Sequence, residues 1–386
     1  MENLNNYISN YMGVEFEEDP YYFVEDNNEG RDYNQVRREI VLQKEQYSIE
    51  FIIKMIDTQY LDLSPEFQRN EVWKDNKRKS LFIESLLLNI PIPIFYAYSN
   101  QDEQLSIIDG KQRLSTIRDF YEGKFSLTNL HHLKQFNGLV YKDLPERVKN
   151  NLDRYQCYFY ILNYLTPKRY IFDIFMRINT GSVPLTSQEI RNIFAKPKVR
   201  NLLKSMASSM SFRKVTRQKI KDIRMDAQEL ALRYIALKSN YDFTAHKFTF
   251  SENNLSELMD RVIAELNGYS EALLDEFLTD FKNSCERAYE LLGDYAFSRL
   301  KLQGNNIKLR SNTINKSLFS VFTVLLSDDK YKYVRLSQYR NRVLLEFCIL
   351  QSESSVNAIL SAGTGNKANL GTLFNCIEIM LEDIIK

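Results

Sequence analysis

The sequence predicts an α+β protein in which a mixed α/β domain is followed by an all-helical domain. Between residues 48 and 195, short β-like runs alternate with helical patterns, whereas beyond Pro197 only amphipathic helical segments remain. The 386 residues include only 12 glycines and 8 prolines, which favours long helices over turn-rich β architecture. We therefore divide the chain into an N-terminal extension (1–47), an α/β domain (48–195) and a helical domain (196–386).

The N-terminal extension is acidic. Residues 1–34 carry nine acidic side chains and one basic side chain, although the net charge of the whole chain is only +1. The segment has neither a helical nor a strand period. We interpret it as a partly ordered arm that docks on a basic surface.

Strands and helices alternate along the α/β domain. The predicted strands cover residues 94–98, 104–108 and 156–162, the last of which is rich in aromatic and β-branched residues. Four helices are predicted. The first covers residues 76–90, and the second follows the Asp109-Gly110 turn. The third begins at Thr166 with proline in the first helical position, and the fourth begins at Thr186, where Glu189 completes a capping box. In the helical domain, amphipathic patterns predict helices near residues 226–238, 255–266, 269–293, 314–327, 332–350 and 369–384.

The most informative stretch is Asp109-Gly110-Lys111-Gln112-Arg113, which follows an apolar strand and opens a helix. A glycine turn that leads into a helix exposes backbone N–H groups and the positive end of the helix dipole, which favour an anion. Arg113 can grip a phosphate through two donors, Lys111 adds a point charge, and Asp109 can hold Mg²⁺. In the alternative interpretation, Asp109 only caps the helix and both cations are solvated.

Two further polar stretches lie in loop-like positions. Residues 67–73 place Gln68 and Arg69 beside the only tryptophan, and residues 177–181 place Arg177 and Asn179 at a predicted helix end. Arg177 and Asn179 suit a purely structural role as well, since such residues commonly complete the last helical turn.

Four motifs occur in the order in which a known family has them: QRNEVW (68–73), LLLNIPIPIFY (86–96), IIDGKQRLSTI (107–117) and FMRINTGSVPLTSQEIRN (175–192). In these motifs the chain resembles the N-terminal domain of the GmrSD-type modification-dependent restriction endonucleases. The helical half is also similar, so the resemblance covers roughly residues 50–386. It implies a ParB/sulfiredoxin-like fold and a DGQQR motif that binds and hydrolyses nucleoside triphosphate. Here Lys111 stands at the first glutamine of that motif.

The resemblance implies one pocket for nucleoside triphosphate with Mg²⁺. Together with the chemistry of the residues, it assigns catalysis to Asp109, Gln112 and Arg113, and nucleotide binding to Gln68, Arg69, Gly110, Arg177 and Asn179. Metal binding by Asp109 and phosphate binding by Lys111 rest on residue chemistry alone. The expected function is a nucleotide-dependent DNA-sensing subunit of a defence system, either modification-dependent restriction or anti-phage. Two alternatives stay open: a non-hydrolysing module that binds DNA or nucleotide and recruits a separate nuclease, and a structural adaptor.

A basic run precedes the first long predicted helix of the helical domain. Residues 196–224 carry ten basic side chains and one acidic side chain. Such a run can follow a phosphate backbone, so we predict a DNA-binding surface. Its residues are Arg213, Lys214, Arg217, Lys219 and Lys221. The alternative is a solvated helix face with the acidic arm laid over it, and both hold if the arm is an electrostatic lid.

The cysteine and histidine pattern excludes several kinds of site. The four cysteines form no CxxC pair, so we expect neither a disulfide framework nor a zinc knuckle, and Cys157 fits a small core residue. The three histidines have no partner at metal-ligand spacing, so we expect no built-in nuclease. With no signal peptide or membrane span recognised, a cytoplasmic protein is expected. The candidate partners are DNA, including modified phage DNA, a separate nuclease subunit and a second copy of the chain.

Overall fold

The computed structural model describes residues 37–63, 73, 75–167, 170–171, 174, 186–220, 222–252, 254–304, 306–362 and 365–385. These residues form two compact units, of which one ends at Phe194 and the other begins at Ala195. The predicted fold class is confirmed, because the first unit contains a mixed sheet with helices and the second is mainly helical.

The first unit is built on a five-stranded sheet with the strand order β1-β5-β3-β4-β2. The β1/β5 and β3/β4 pairs are antiparallel, whereas the β3/β5 and β2/β4 pairs are parallel. Its strands are β1 (Leu42–Ser48), β2 (Leu61–Asp62), β3 (Phe95–Ser99), β4 (Leu105–Asp109) and β5 (Gln156–Asn163). Its helices are α1 (Ile49–Asp57), α2 (Asn76–Leu87), α3 (Lys111–Tyr121), α4 (Glu146–Asp153) and α5 (Ser187–Phe194).

The sheet begins earlier than the sequence suggests. Strand β1 pairs with β5 along its whole length, from Leu42 opposite Leu162 to Ser48 opposite Gln156. Residues 42–47 therefore belong to the sheet and not to the N-terminal extension. The sequence does not predict this strand, because most of its side chains are exposed and it lacks the apolar alternation of a half-buried strand.

One face of the sheet forms the core of this unit. Cys157, Phe159 and Ile161 alternate along β5 and are almost fully buried, and Phe95 stacks on Phe159 with 4.9 Å between ring centroids. Burial raises the pKa of the Cys157 thiol to about 12. The interpretation of this cysteine as a core residue is therefore confirmed.

A buried carboxylate anchors the irregular segment between α3 and α4. Glu84 on α2 is 3% exposed and accepts backbone N–H bonds from His131, His132 and Leu133 at 3.1, 2.7 and 2.8 Å. The segment thus obtains from one side chain the hydrogen bonds that a regular element would supply from its own backbone.

The predicted capping box opens α5. The backbone N–H of Glu189 donates to Thr186 Oγ1 at 3.1 Å, and Glu189 Oε2 accepts from the N–H of Thr186 at 2.6 Å. Thr166, the predicted start of the preceding helix, instead accepts a bond from the N–H of Val41 at 3.0 Å. Most of that predicted helix lies outside the described residues.

The second unit contains nine helices among its described residues. They are α6 (Pro197–Ser208), α7 (Met210–Val215), α8 (Asp226–Lys238), α9 (Leu255–Leu266), α10 (Glu271–Leu292), α11 (Lys316–Leu325), α12 (Arg340–Ser352), α13 (Ser354–Ala362) and α14 (Lys367–Ile384). Helices α8 and α9 have the predicted bounds, whereas α6, α7 and α13 lie outside the predicted segments. Phe281 on α10 is central to the core, with ring contacts to Phe212, Tyr234 and Phe319.

The expectation of an all-helical domain is wrong in one respect. Two small hairpins interrupt the helices: β6 (Tyr241–Asp242) pairs with β7 (Lys247–Phe248), and β8 (Leu300–Gln303) pairs with β9 (Asn306–Leu309). Strands of two and four residues are too short to show a clear period in a sequence.

The length and hydropathy of the described helices decide whether any of them can cross a membrane. No single one is both long and apolar enough to cross a membrane, while one pair bent by 86°, Leu336–Ser352 with Ser354–Ser361, has the required length and composition.

Candidate functional site

The candidate site begins at a tight turn between β4 and α3. Asp109 is the last residue of β4, and Gly110 has a φ of 101°, a conformation that side-chain-bearing residues rarely adopt. Gly110 is also the N-cap of α3, an eleven-residue helix that begins at Lys111. Glycine has no side chain, so Gly110 makes no side-chain capping bond to α3.

The Asp109 carboxylate is held by the guanidinium of Arg113. Arg113 Nη2 lies 2.9 Å from Asp109 Oδ2 and donates to the carbonyl of Ile94 at 3.1 Å, while Nη1 donates to the carbonyl of Pro93. The guanidinium lies over the ring of Phe95, 4.5 Å from its centroid. Burial lowers the pKa of Arg113, and the neighbouring carboxylate opposes that shift.

The guanidinium of Arg113 has different partners from the phosphate that the sequence suggested. The sequence suggested that its two donors grip a phosphate, whereas the structure directs them to Asp109 and to two backbone carbonyls. The Asp109 side chain is 40% exposed, compared with 12% for Arg113. Lys111 and Gln112 are half-buried on the first turn of α3. The exposed functional group at the turn is therefore the carboxylate, and Arg113 fixes its orientation.

A row of side chains runs across four strands to Asp109. Lys44 is opposite Tyr160, Tyr160 is opposite Tyr96, and Tyr96 is opposite Asp109. The Lys44 ammonium lies 5.3 Å from the centroid of the Tyr160 ring, and the two tyrosine rings meet edge to face at 5.7 Å. Burial raises the pKa of Tyr96, and Tyr160 and Asp109 add to this shift. The row thus extends the site from a carboxylate to an aromatic surface.

Sequence reasoning missed Tyr96 and Tyr160 as site residues. Both alternate with core residues along their strands, and this alternation is visible in the sequence. The strand order that brings them next to Asp109 is set by long-range pairing, which has no local signal.

The other predicted nucleotide-binding residues, Gln68, Arg69, Arg177 and Asn179, lie outside the described residues. Near the first pair, the structure describes Trp73, whose ring packs edge to face against Phe82 at 5.5 Å. The guanidinium of Arg78 lies 4.9 Å from the Trp73 ring centroid. Trp73 therefore packs against the side of α2.

In the second unit, the predicted DNA-binding residues separate into two groups. Arg213 and Lys214 are exposed on α7, with the Lys214 ammonium 4.2 Å from the ring centroid of Tyr289. Arg217 instead donates to Ser298 Oγ at 2.7 Å and to the carbonyl of Asp294. Lys219 donates to the carbonyl of Asn312 at 2.8 Å. Lys221 lies outside the described residues. Of the described cations in this set, Arg213 and Lys214 thus offer the more accessible charge.

The comparison with protein families bears on the first unit. Residues 23–195 match the family model of the GmrSD restriction endonuclease, N-terminal domain. The resemblance inferred from the four motifs is therefore confirmed over this range, which contains the Asp109 turn and the whole sheet. No curated protein matches the chain. A GmrSD-type N-terminal domain implies a component of a restriction system that serves in defence, with DNA as the target of that system. The resemblance of the helical half stays a prediction.

Proposed function

We propose that the GmrSD-type domain binds and hydrolyses nucleoside triphosphate at the Asp109–Arg113 turn, and that the chain is a nucleotide-dependent DNA-sensing subunit of a defence system. The observation that carries the proposal is the turn itself. A strand ends in an exposed carboxylate held by a half-buried arginine, and a glycine-capped helix begins immediately after it.

The start of α3 supports phosphate binding. Backbone N–H groups at a helix N-terminus, together with the helix dipole, attract an anion, and Lys111 adds a full positive charge on the first turn. The half-buried rings of Tyr96 and Tyr160 lie in the same strand row as Asp109 and offer a surface for a base. In this proposal Arg113 is a positioning residue that acts through Asp109.

The residues present suit a Mg²⁺ ion delivered with the triphosphate. Mg²⁺ takes oxygen ligands and is commonly held by one or two carboxylates plus substrate phosphates. Arg113 contacts Oδ2 of Asp109, and the exposed carboxylate has a second oxygen to offer. When bound, Mg²⁺ neutralises charge that develops on the phosphates.

Hydrolysis requires a water in line with the terminal phosphate. We assign its orientation to Gln112, which is half-buried on the first turn of α3. The water oxygen bonds to the γ-phosphorus, the bond to the bridging oxygen breaks, and a nucleoside diphosphate and inorganic phosphate leave.

The test is phosphate release by the purified full chain with Mg²⁺ and each of the four nucleoside triphosphates. We expect Asp109→Asn to reduce the release rate at least 100-fold, because the amide keeps a partner for Arg113 but loses the charge that binds a cation. Asp57→Asn, an exposed residue at the end of α1, is the matched control and should retain the wild-type rate.

The alternatives give different results in the same samples. A wild-type chain that binds triphosphate without releasing phosphate is the non-hydrolysing module. If the chain does not bind triphosphate at all, the proposal is wrong and the structural adaptor is the remaining alternative. Equal rates in Asp109→Asn and wild type would remove Asp109 from the site.

The DNA-sensing part of the proposal depends on Arg213 and Lys214. We expect the double variant Arg213→Gln with Lys214→Gln to bind duplex DNA more weakly. Its slope of log K against log salt should be smaller by about 1.8, because two phosphate contacts are lost. The measurement is DNA affinity at several salt concentrations. The variant Lys282→Gln with Lys301→Gln, which removes two exposed lysines elsewhere in the same unit, is the charge-matched control. Equal slopes for the two variants would contradict the assignment.

A further inference from the structure

We propose that His246, Glu378 and Glu382 form a binding site for a divalent transition metal ion of the zinc type. His246 lies in the turn of the β6–β7 hairpin, and the two glutamates lie one turn apart on α14. Their ligand atoms all lie within 4.8 Å of one another. The inference is independent of the proposed nucleotide site.

The closest pair in this cluster is a histidine nitrogen and a carboxylate oxygen. His246 Nδ1 lies 3.0 Å from Oε1 of Glu378. Tetrahedral zinc with ligand distances of about 2.0–2.2 Å separates neighbouring donors by about 3.3 Å, so the observed spacing suits two ligands of one ion. When the neutral imidazole carries its proton on Nε2, Nδ1 and Oε1 both present lone pairs, and a cation bound between them stabilises this close contact.

The burial of Glu378 is the second and independent observation. Its side chain is 3% exposed, and its Oε1 atom is buried and accepts no hydrogen bond from the described residues, because the 3.0 Å contact with His246 Nδ1 lacks hydrogen-bond geometry. A buried carboxylate oxygen without a hydrogen bond destabilises the folded state unless a ligand or an ion binds to it. The other oxygen, Oε2, accepts a hydrogen bond from the Tyr241 hydroxyl. A hydrogen bond to a ligating carboxylate is the usual way in which a protein orients a metal ligand.

The ligand set selects the kind of metal. An imidazole with carboxylates suits zinc and its neighbours in the first transition row, whereas Mg²⁺ and Ca²⁺ prefer oxygen ligands alone. His246 and Glu382 are each 44% exposed, so an ion can enter from solvent and keep a water as its fourth ligand.

Lys330 competes with the ion for Glu382. Its ammonium lies 2.8 Å from Glu382 Oε1 and 3.4 Å from Asp328 Oδ2. Lys330 also lowers the pKa of Glu382, although burial of the carboxyl acts in the opposite direction. Because the ammonium occupies one carboxylate oxygen and repels a second cation, we expect its removal to increase the affinity for zinc.

The experiment is a titration of the chelator-treated full chain with Zn²⁺, followed by calorimetry and by the metal content after dialysis. We expect one Zn²⁺ per wild-type chain and an affinity at least tenfold lower for His246→Asn. Asparagine is chosen because His246 has a φ of 51°, a conformation that asparagine tolerates. Lys330→Met should bind Zn²⁺ severalfold more tightly than wild type. Mg²⁺ at the same concentrations should not compete.

His131→Asn is the matched control, since this exposed histidine lies in the first unit and should leave zinc binding unchanged. Absence of zinc binding by the wild type overturns the proposal. Equal affinities of wild type and His246→Asn overturn it too, since zinc is then held elsewhere. Weaker binding by Lys330→Met contradicts the predicted competition.

Discussion

Gly110→Ala is expected to lower the free energy of unfolding of the first unit by about 3 kcal/mol or more. A Cβ atom at residue 110 would lie 2.8 Å from Cε1 of the Phe95 ring and still closer to Cδ1. The φ of 101° adds backbone strain for any side-chain-bearing residue. Phe95 cannot easily yield, since it is fully buried and stacked on Phe159. The measurement is equilibrium unfolding in denaturant with a probe of the first unit.

Gly123→Ala separates the two causes of this loss. Gly123 also has a positive φ, 72°, but a Cβ there meets nothing within 4 Å. We expect this control to lose only the backbone term, about 1 kcal/mol. If both variants lose the same stability, the turn at Gly110 does not pack closely against Phe95.

The same substitution should disturb the candidate site. The added Cβ would also lie 3.1 Å from Nη2 of Arg113, the atom that contacts Asp109 and the carbonyl of Ile94. The glycine thus allows the chain to turn and leaves room for the arginine that orients the carboxylate. The fraction of the Gly110→Ala variant that remains folded should therefore release phosphate more slowly than wild type.

Local signals predicted the turn correctly. The apolar run before Asp109, the glycine and the helical spacing of Leu114 and Ile117 are contiguous in the sequence, and the structure places β4, the turn and α3 there. The Thr186 capping box is equally local, because its two partners are three residues apart. Such features depend on neighbours along the chain and need no knowledge of the fold.

Long-range features were not predictable in the same way. Arg113 reaches back about twenty residues to the carbonyls of Pro93 and Ile94, and sequence alone offers an anion as an equally good partner. Likewise, histidine spacing gives no sign of the contact between His246 and Glu378, because the two residues lie far apart in the sequence and meet only after folding. In each case the partners of the side chain lie far away along the chain, so local sequence patterns do not reveal them.

The second large effect is expected for Glu84→Gln. This variant should lower the free energy of unfolding of the first unit by about 2–3 kcal/mol, because one amide oxygen replaces two carboxylate oxygens that accept three backbone N–H bonds. The amide NH₂ group would face an N–H donor and leave it unpaired. For a unit of this size the midpoint of thermal unfolding should fall by about 5–10 °C.

The effect should also depend on pH. Burial alone would raise the pKa of Glu84, but the bonds from Leu133, His132 and His131 outweigh burial and lower this pKa below its usual value. The unfolded chain then binds the proton more readily, so the stability from Glu84 is complete above the unfolded pKa of about 4.3 and is lost as pH falls through the lowered pKa. The gap between wild type and Glu84→Gln should therefore be wide at pH 7 and narrow towards pH 3.

Glu146→Gln is the control for this experiment. Its side chain is 78% exposed and pairs only with Lys149 in an i,i+3 contact of 3.0 Å among the described ion pairs. Screening by solvent makes such a pair nearly neutral for stability, so we expect little change at either pH. A Glu84→Gln variant as stable as Glu146→Gln, or a gap that stays constant between pH 7 and pH 3, would show that the carboxylate does not hold residues 131–133 in place.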